Sequence, residues 1–173
     1  MIQAPAKRFD KLDCGYLLPS GGVCHVRWMI TRDMPEVIQV EQDSYDYPWR
    51  EEDFLRCLRQ RNCIGMVAEI GKQVAGFMIY ELDKLKIHIR NFAVHPEHRR
   101  NAIGSVMMDK LIAKLSSPRR ASIAIEVRET NLAGQLFLRD SGFKAQRVMR
   151  EHFEDSGEDA YLMCYSIAWP KLD

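Results

Sequence analysis

Val94-His95-Pro96-Glu97-His98-Arg99-Arg100-Asn101-Ala102-Ile103-Gly104-Ser105 is the stretch on which the reading of this chain turns. An apolar run (Ile87, Ile89, Phe92, Val94) leads into it and ends at His95-Pro96. A basic turn of small residues follows, and a helical pattern begins at once. A strand, a turn that exposes backbone N–H groups and a helix N-terminus together form a socket for phosphate. Arg99 to Gly104 is expected to wrap a pyrophosphate with successive N–H groups, and the dipole of the following helix favours that charge. Arg99 and Arg100 add positive charge, and Gly104 permits close backbone approach. The bland alternative is a solvated basic turn; the strand before it and the helix after it weigh against that.

Outward from the turn, the chain reads as one α/β domain with a mixed sheet. Val23 to Ile30 alternates as a strand, with Val26, Trp28 and Ile30 on one face. Asp33 with Glu36 three residues on is a capping-box-like helix start, continued by Met34, Val37, Ile38 and Glu41. Tyr45-Asp46-Tyr47-Pro48 breaks that helix. A second runs from Trp49 or Arg50 to about Gln60, with Phe54, Leu55 and Leu58 inward. Strands are expected over 65–70, 74–81 and 86–94. The helix after the basic turn carries Ile103, Val106, Met107, Leu111 and Leu115 on one stripe, and Pro118 stops it. A short strand over 122–127 and a helix over 131–141, with Gly142 at the C′ position, follow. A hairpin around Asp155-Ser156-Gly157 closes the chain. Residues 1–21 read as an extension, 22–168 as the domain and 169–173 as a tail.

Composition sets the outer bounds. The chain has 173 residues, 46% hydrophobic, with a net charge of +1. That length supports a real core. The charge balance points to neither nucleic acid nor a membrane surface. No apolar run approaches the roughly 20 residues of a membrane span. The N-terminal residues show no secretory pattern, and a cytoplasmic location is expected. The five cysteines (Cys14, Cys24, Cys57, Cys63, Cys164) form no C-x-x-C pair and are read as reduced thiols. His95 and His98 flank a proline and are read as turn residues, with no metal expected. Met107 and Met108 are read as packing residues.

The turn resembles the Arg/Gln-x-x-Gly-x-Gly/Ala pattern of the Gcn5-related N-acetyltransferases, here Arg99-x-x-Ala102-x-Gly104 with Ala102 in place of glycine. Alanine disfavours positive φ. The order of elements over 22–168 resembles the same family, which implies a central twisted mixed sheet of about six to seven strands flanked by about four helices. Pro48-Trp49, Phe92-Ala93-Val94, Ile125-Glu126-Val127-Arg128, Asn131 and Gly142-Phe143 narrow the resemblance to RimI-type enzymes. Those acetylate the N-terminal alanine of a ribosomal protein with acetyl-CoA. The resemblance implies that the strand ending at Val94 and the strand over 122–127 splay apart around pantetheine. Phe92, Ala93 and Val94 would pair with it. Arg99, Arg100, Asn101, Ala102, Ile103, Gly104 and Ser105 would hold the pyrophosphate, and Asn131 would reach the cofactor's far arm. Tyr45, Tyr47 and Trp49 fall where such enzymes shape the acceptor site.

Acetyl transfer needs a neutral amine, a polarised thioester and a leaving thiolate. Ile123, Ile125 and Val127 share one face, so Glu126 points to the other, near the carboxyl end of its strand. It is the expected general base, against the alternative of an edge glutamate paired with Arg128 or another cation. An α-amine near pKa 7.7–8.0 is roughly a tenth neutral at pH 7, whereas a lysine near 10.4 needs about 3.5 kcal/mol more. A single carboxylate therefore suits a peptide N-terminus, a ribosomal protein included. The position that carries the family's tyrosine acid is Leu138; His152, Tyr161 and Tyr165 are the replacement candidates. A small-molecule amine acetyltransferase and a CoA-binding module with little catalysis stay open as alternatives, as do monomer and homodimer.

Overall fold

The apolar segments between Cys63 and Val94 fold into three consecutive antiparallel strands that form the middle of the sheet. In the computed structural model, residues 11–12, 15–116 and 119–167 are described. The strands are β1 (Lys11–Leu12), β2 (Gly15–Leu17), β3 (Val23–Trp28), β4 (Cys63–Ile70), β5 (Gln73–Leu82), β6 (Lys86–Val94), β7 (Ser122–Arg128), β8 (Lys144–Phe153) and β9 (Glu158–Ser166). The helices are α1 (Met34–Gln42), α2 (Glu51–Leu58), α3 (Ile103–Ile112) and α4 (Leu132–Asp140). The sheet order is β1-β2-β3-β4-β5-β6-β7-β9-β8, and β6–β7 is its parallel pair. This is the mixed α/β sheet expected from the pattern. Two of its nine described strands, β1 and β2, come from the stretch that reads as an extension. They are too short to show periodicity, and β2 pairs with β3 through Tyr16↔Cys24. The tail over 169–173, Cys14 and Pro118 lie outside the described residues.

Helices cover both faces. On one face α3 contributes Ile103, Val106, Met107, Met108 and Leu111 to a core shared with Met78, Tyr80, Ile87, Ile89, Ile123 and Ile125. On the other, Met34, Val37 and Val40 of α1 and Phe54 and Cys57 of α2 pack on Val67, Phe77 and Ile79. Each such side chain taken fully from water contributes about 1.5–3 kcal/mol. The stripe expected on α3 therefore holds, although the helix ends at Ile112 rather than at 115. Phe143 N–H bonds back to the Leu138 carbonyl at 3.0 Å across Gly142 at φ 92°, the αL stop expected after α4.

Two local expectations are corrected. β3 ends at Trp28; Trp28 stays on the α3 side with Val26 but is exposed, as is Ile30 beyond the end of the strand. Lys114 lies over the Trp28 ring, 4.5 Å from its centroid. The Asp33/Glu36 box does not form. Asp33 is buried and takes two hydrogen bonds from Arg27 at 2.7 and 2.9 Å, while the Glu36 carboxylate accepts from Val74 N–H at 2.8 Å. Tertiary partners with full charge outcompete a local cap.

The feature that positions the site is a bulge in β6. Ile79 pairs with Asn91 but Tyr80 with Ile89, so Arg90 is the extra residue. A one-residue insertion inverts the alternation beyond it. Ile87 and Ile89 face the α3 core before the bulge, and Phe92 and Val94 face it afterwards. Asn91 and Ala93 are thereby turned toward α1.

Candidate functional site

The parallel ladder between β6 and β7 runs from Lys86↔Ser122 to Ile89↔Ile125 and stops. Beyond it, β6 stays paired with β5 as far as Val94↔Gly76, and β7 with β9 as far as Arg128↔Ala160. Asn91 to Val94 and Glu126 to Arg128 therefore diverge into a notch that starts at the bulge. Strand edges not paired with each other leave N–H and C=O groups for another partner. One is already engaged: the Tyr45 hydroxyl donates to the Phe92 carbonyl at 2.5 Å. The Phe92 ring packs on Phe137 with centroids 5.8 Å apart. Ala93 is buried on the α1/α2 side. The Val94 carbonyl accepts from Arg99 Nε at 3.0 Å.

The basic turn lies at the end of β6 beside this notch. A short 3-10 turn over Pro96–His98 is capped by the His95 ring, which accepts from Glu97 N–H and pairs with Asp43 at 3.2 Å. Arg100 and Ala102 then adopt left-handed backbone, at φ 62° and 63°. α3 starts at Ile103 with no side chain capping its N-terminus, so the N–H groups of Ile103, Gly104 and Ser105 face outward from an uncapped helix end. A β-carbon on Gly104 would lie 3.3 Å from the Phe137 ring and 3.6 Å from Phe92, so glycine keeps this corner close to the strand. The left-handed alanine costs about 1–2 kcal/mol relative to glycine's freedom there. Asn101 does not aim its side chain into the turn. It donates to Ser20 Oγ at 2.8 Å and accepts from Ser20 N–H at 3.2 Å, tying the turn to the loop before β3. Asn131 caps α4, accepting from Gly134 N–H at 2.9 Å, which leaves its amide nitrogen as the group to offer a ligand.

Glu126 leaves the sheet on the α1/α2 side at the vertex of the notch. Its Oε2 is 2.6 Å from His88 Nε2, and both side chains are largely buried. Burial pushes the Glu126 carboxyl up. The hydrogen bond and charge of His88, with the fields of Arg90 and His152, outweigh it and hold the group below its ordinary value. Its partner is thus His88 and not Arg128. Arg128 bridges Asp155 at 2.6 Å and Glu158 at 3.3 Å, and its guanidinium lies over Phe153 at 3.9 Å and Tyr47 at 5.1 Å. The sequence reading missed His88; the signal present was a polar residue between Ile87 and Ile89 on the face that Glu126 shares.

Leu138 is 2% exposed and packed in the α3-side core, so it brings no proton donor to the notch. Of the replacement candidates, Tyr165 packs on Phe143, Tyr161 lies against the same core, and His152 stacks on Phe153 in the β8–β9 hairpin. Another cluster sits beside the notch instead. Glu41 Oε1 accepts from Trp49 N–H at 2.8 Å and from Asn91 Nδ2 at 3.0 Å. Burial raises the Glu41 carboxyl despite these two donors. Trp49 packs edge-on to Phe54, whereas Tyr47 is exposed. An open cleft between α2 and the β8–β9 hairpin is lined by Arg50, Asp53, Arg56, His152, Phe153 and Asp155 among others. No group of three or more potential metal ligands occurs among the described residues.

The notch, the uncapped helix end and a partly buried carboxylate provide an edge for an extended ligand, a seat for its phosphates and a proton acceptor. The family model described as Acetyltransferase (GNAT) family matches residues 26–143. The [ribosomal protein bS18]-alanine N-acetyltransferase of Escherichia coli K12 is 28% identical over 140 residues, 80% of this chain and 94% of that protein. The crystal structure of the ribosomal-protein-S18-alanine N-acetyltransferase from Escherichia coli superposes with a TM-score of 0.75 at 24% identity, over 87% of this chain and 99% of that one. Arabidopsis thaliana NAA60 in complex with acetyl-CoA superposes with a TM-score of 0.73 at 15% identity, covering 84% and 100%.

Proposed function

This chain belongs to the acetyltransferase (GNAT) family, and from that premise we propose that it transfers acetyl from acetyl-CoA to the α-amine of a peptide or protein N-terminus. One observation carries the reading: the β6–β7 notch opens with a phosphate-type turn at one end and Glu126 at its vertex. The residues fit the co-substrate. Phe92, Ala93 and Val94 would pair with its pantetheine arm as an added strand does. Arg99, Arg100, Asn101, Ala102, Ile103, Gly104 and Ser105 would seat its pyrophosphate, with backbone N–H groups and positive charge as the means. The Asn131 amide would meet its far arm. Acetyl-CoA supplies an activated acyl group when bound.

Glu126 is the general base of this proposal. Its lowered carboxyl stays ionised wherever the amine needs help, so it is always competent to accept a proton, directly or through water. It is also a weak base, which suits an α-amine already about a tenth neutral at pH 7 better than a lysine. The aromatic mouth formed by Tyr47, Phe153 and the Arg128 guanidinium would receive the acceptor. The bS18-alanine enzyme of Escherichia coli makes a ribosomal protein N-terminus the acceptor class to try first.

Leu138 favours a second reading, a CoA-binding module with little catalysis, because the usual tyrosine acid is absent. A small-molecule amine is the other acceptor class, since the same scaffold hosts many. An acceptor screen separates the three. Alanine-started peptides, polyamines and amino acids are each incubated with protein and acetyl-CoA, and thiol release is followed. Turnover with peptides supports the proposal; turnover with small amines alone removes the peptide assignment; calorimetric CoA binding without any turnover supports the module.

A further inference from the structure

We propose that Tyr45 supplies the proton that the leaving thiolate takes up, in the role left vacant by Leu138. The inference rests on the transferase reading above. Three observations carry it. The Tyr45 hydroxyl lies 2.5 Å from the Phe92 carbonyl, on the segment of β6 that diverges from β7. A ligand pairing with that segment passes this hydroxyl. Arg99 of the phosphate turn bonds the Val94 carbonyl at 3.0 Å, two residues along the same segment, so the hydroxyl and that turn meet one stretch of β6. Finally, the three replacements suggested by sequence stand farther from β6 in the sheet: Tyr161 and Tyr165 lie on β9, on the far side of β7, and His152 lies on β8 beyond it.

A phenol at this point suits the task. Burial and the neighbouring Glu41 charge keep it protonated, with its acidity lowered further than Arg99 and Arg128 restore it. It is therefore a donor throughout the working pH range. In the step itself the amine nitrogen forms a bond to the acyl carbon and the C–S bond breaks. The amine's proton passes to Glu126, the sulfur takes the proton of the Tyr45 hydroxyl, and the tyrosinate recovers a proton from solvent as Glu126 releases its own. One amide and one thiol result, with no oxidant or further reactant.

Two variants test the assignment, assayed with acetyl-CoA and an alanine-started peptide. Tyr45→Phe keeps the ring and removes the proton. Its kcat is expected to fall about a hundredfold or more, the usual worth of a general acid, while acetyl-CoA affinity by calorimetry stays within about threefold, less than about 0.7 kcal/mol. Site-specific 3,5-difluorotyrosine at position 45 keeps the bond to Phe92 but makes the phenol more acidic. It is expected to retain most of the kcat that Tyr45→Phe loses. A Tyr45→Phe enzyme within threefold of the parent, or a difluorotyrosine enzyme as slow as Tyr45→Phe, overturns the assignment. A parent protein inert toward every amine overturns instead the transferase reading on which it rests.

Discussion

His88 Nε2 and Glu126 Oε2 stand 2.6 Å apart across the last turn of pairing between two parallel strands. His88 lies opposite Ala124 in the ladder, and Glu126 is two residues further along, past the point where pairing ends. The carboxylate is therefore anchored from inside the sheet and exposed to the notch at its other edge. This is what converts an otherwise desolvated glutamate into one held ionised.

Removing the anchor should be visible in pH dependence. In His88→Gln, burial is no longer opposed by the imidazole, so the Glu126 carboxyl rises. The acid limb of kcat/KM should move to higher pH, with an unchanged plateau or a loss of no more than about tenfold. A profile superimposable on the parent's would show that His88 does not govern Glu126. Glu126→Gln, by contrast, should depress the rate about a hundredfold or more, most at low pH where fewer amines are already neutral.

Ala102 is the sequence's departure within the turn, and its φ of 63° shows what the departure costs. Ala102→Gly relieves about 1–2 kcal/mol of left-handed strain and adds about 0.4–1 kcal/mol of unfolded-state entropy. A net gain of about 0.5–1 kcal/mol in denaturant unfolding is expected, with acetyl-CoA affinity kept or improved. Loss of both stability and affinity would mean that the turn does not use this conformation.

Asp33 provides a test of the scaffold. Hydrogen bonds from Arg27 come first among the causes that hold its carboxyl below the ordinary value, against the opposing effect of burial. A folded value lower than the unfolded one means stability that is present above the unfolded value, about 3.9. That stability is lost as the pH falls through the folded value. Asp33→Asn should cost about 1.5–3 kcal/mol near neutrality, and the gap to the parent should narrow below about pH 4. A gap of constant size down to strongly acid pH would contradict the ion pair.

The order and kind of the long elements were legible because α3 buries one stripe, while β4 and β5, covered on both faces, read as short continuous apolar runs between turns. What was not legible depends on partners distant in sequence. Arg27, itself held by Glu69, claims Asp33 from its expected cap, and Val74 claims Glu36. The bulge at Arg90 is marked only by the slip of the apolar phase from Ile87 and Ile89 to Phe92 and Val94, yet it turns Asn91 toward Glu41 and sets the vertex of the notch. The turn, Glu126 and Leu138 were found by motif. His88 and Tyr45 were not assigned chemistry, because their roles come from the register of β6 and from a loop folded back over it.

The most direct measurement is a single reaction: purified protein, acetyl-CoA and an alanine-started peptide, with free thiol and the mass of the peptide followed together. Thiol release matched one for one by acetylation at the peptide's N-terminus is the expected result. Intact acetyl-CoA and unmodified peptide, with the protein folded and the co-substrate bound, would contradict it.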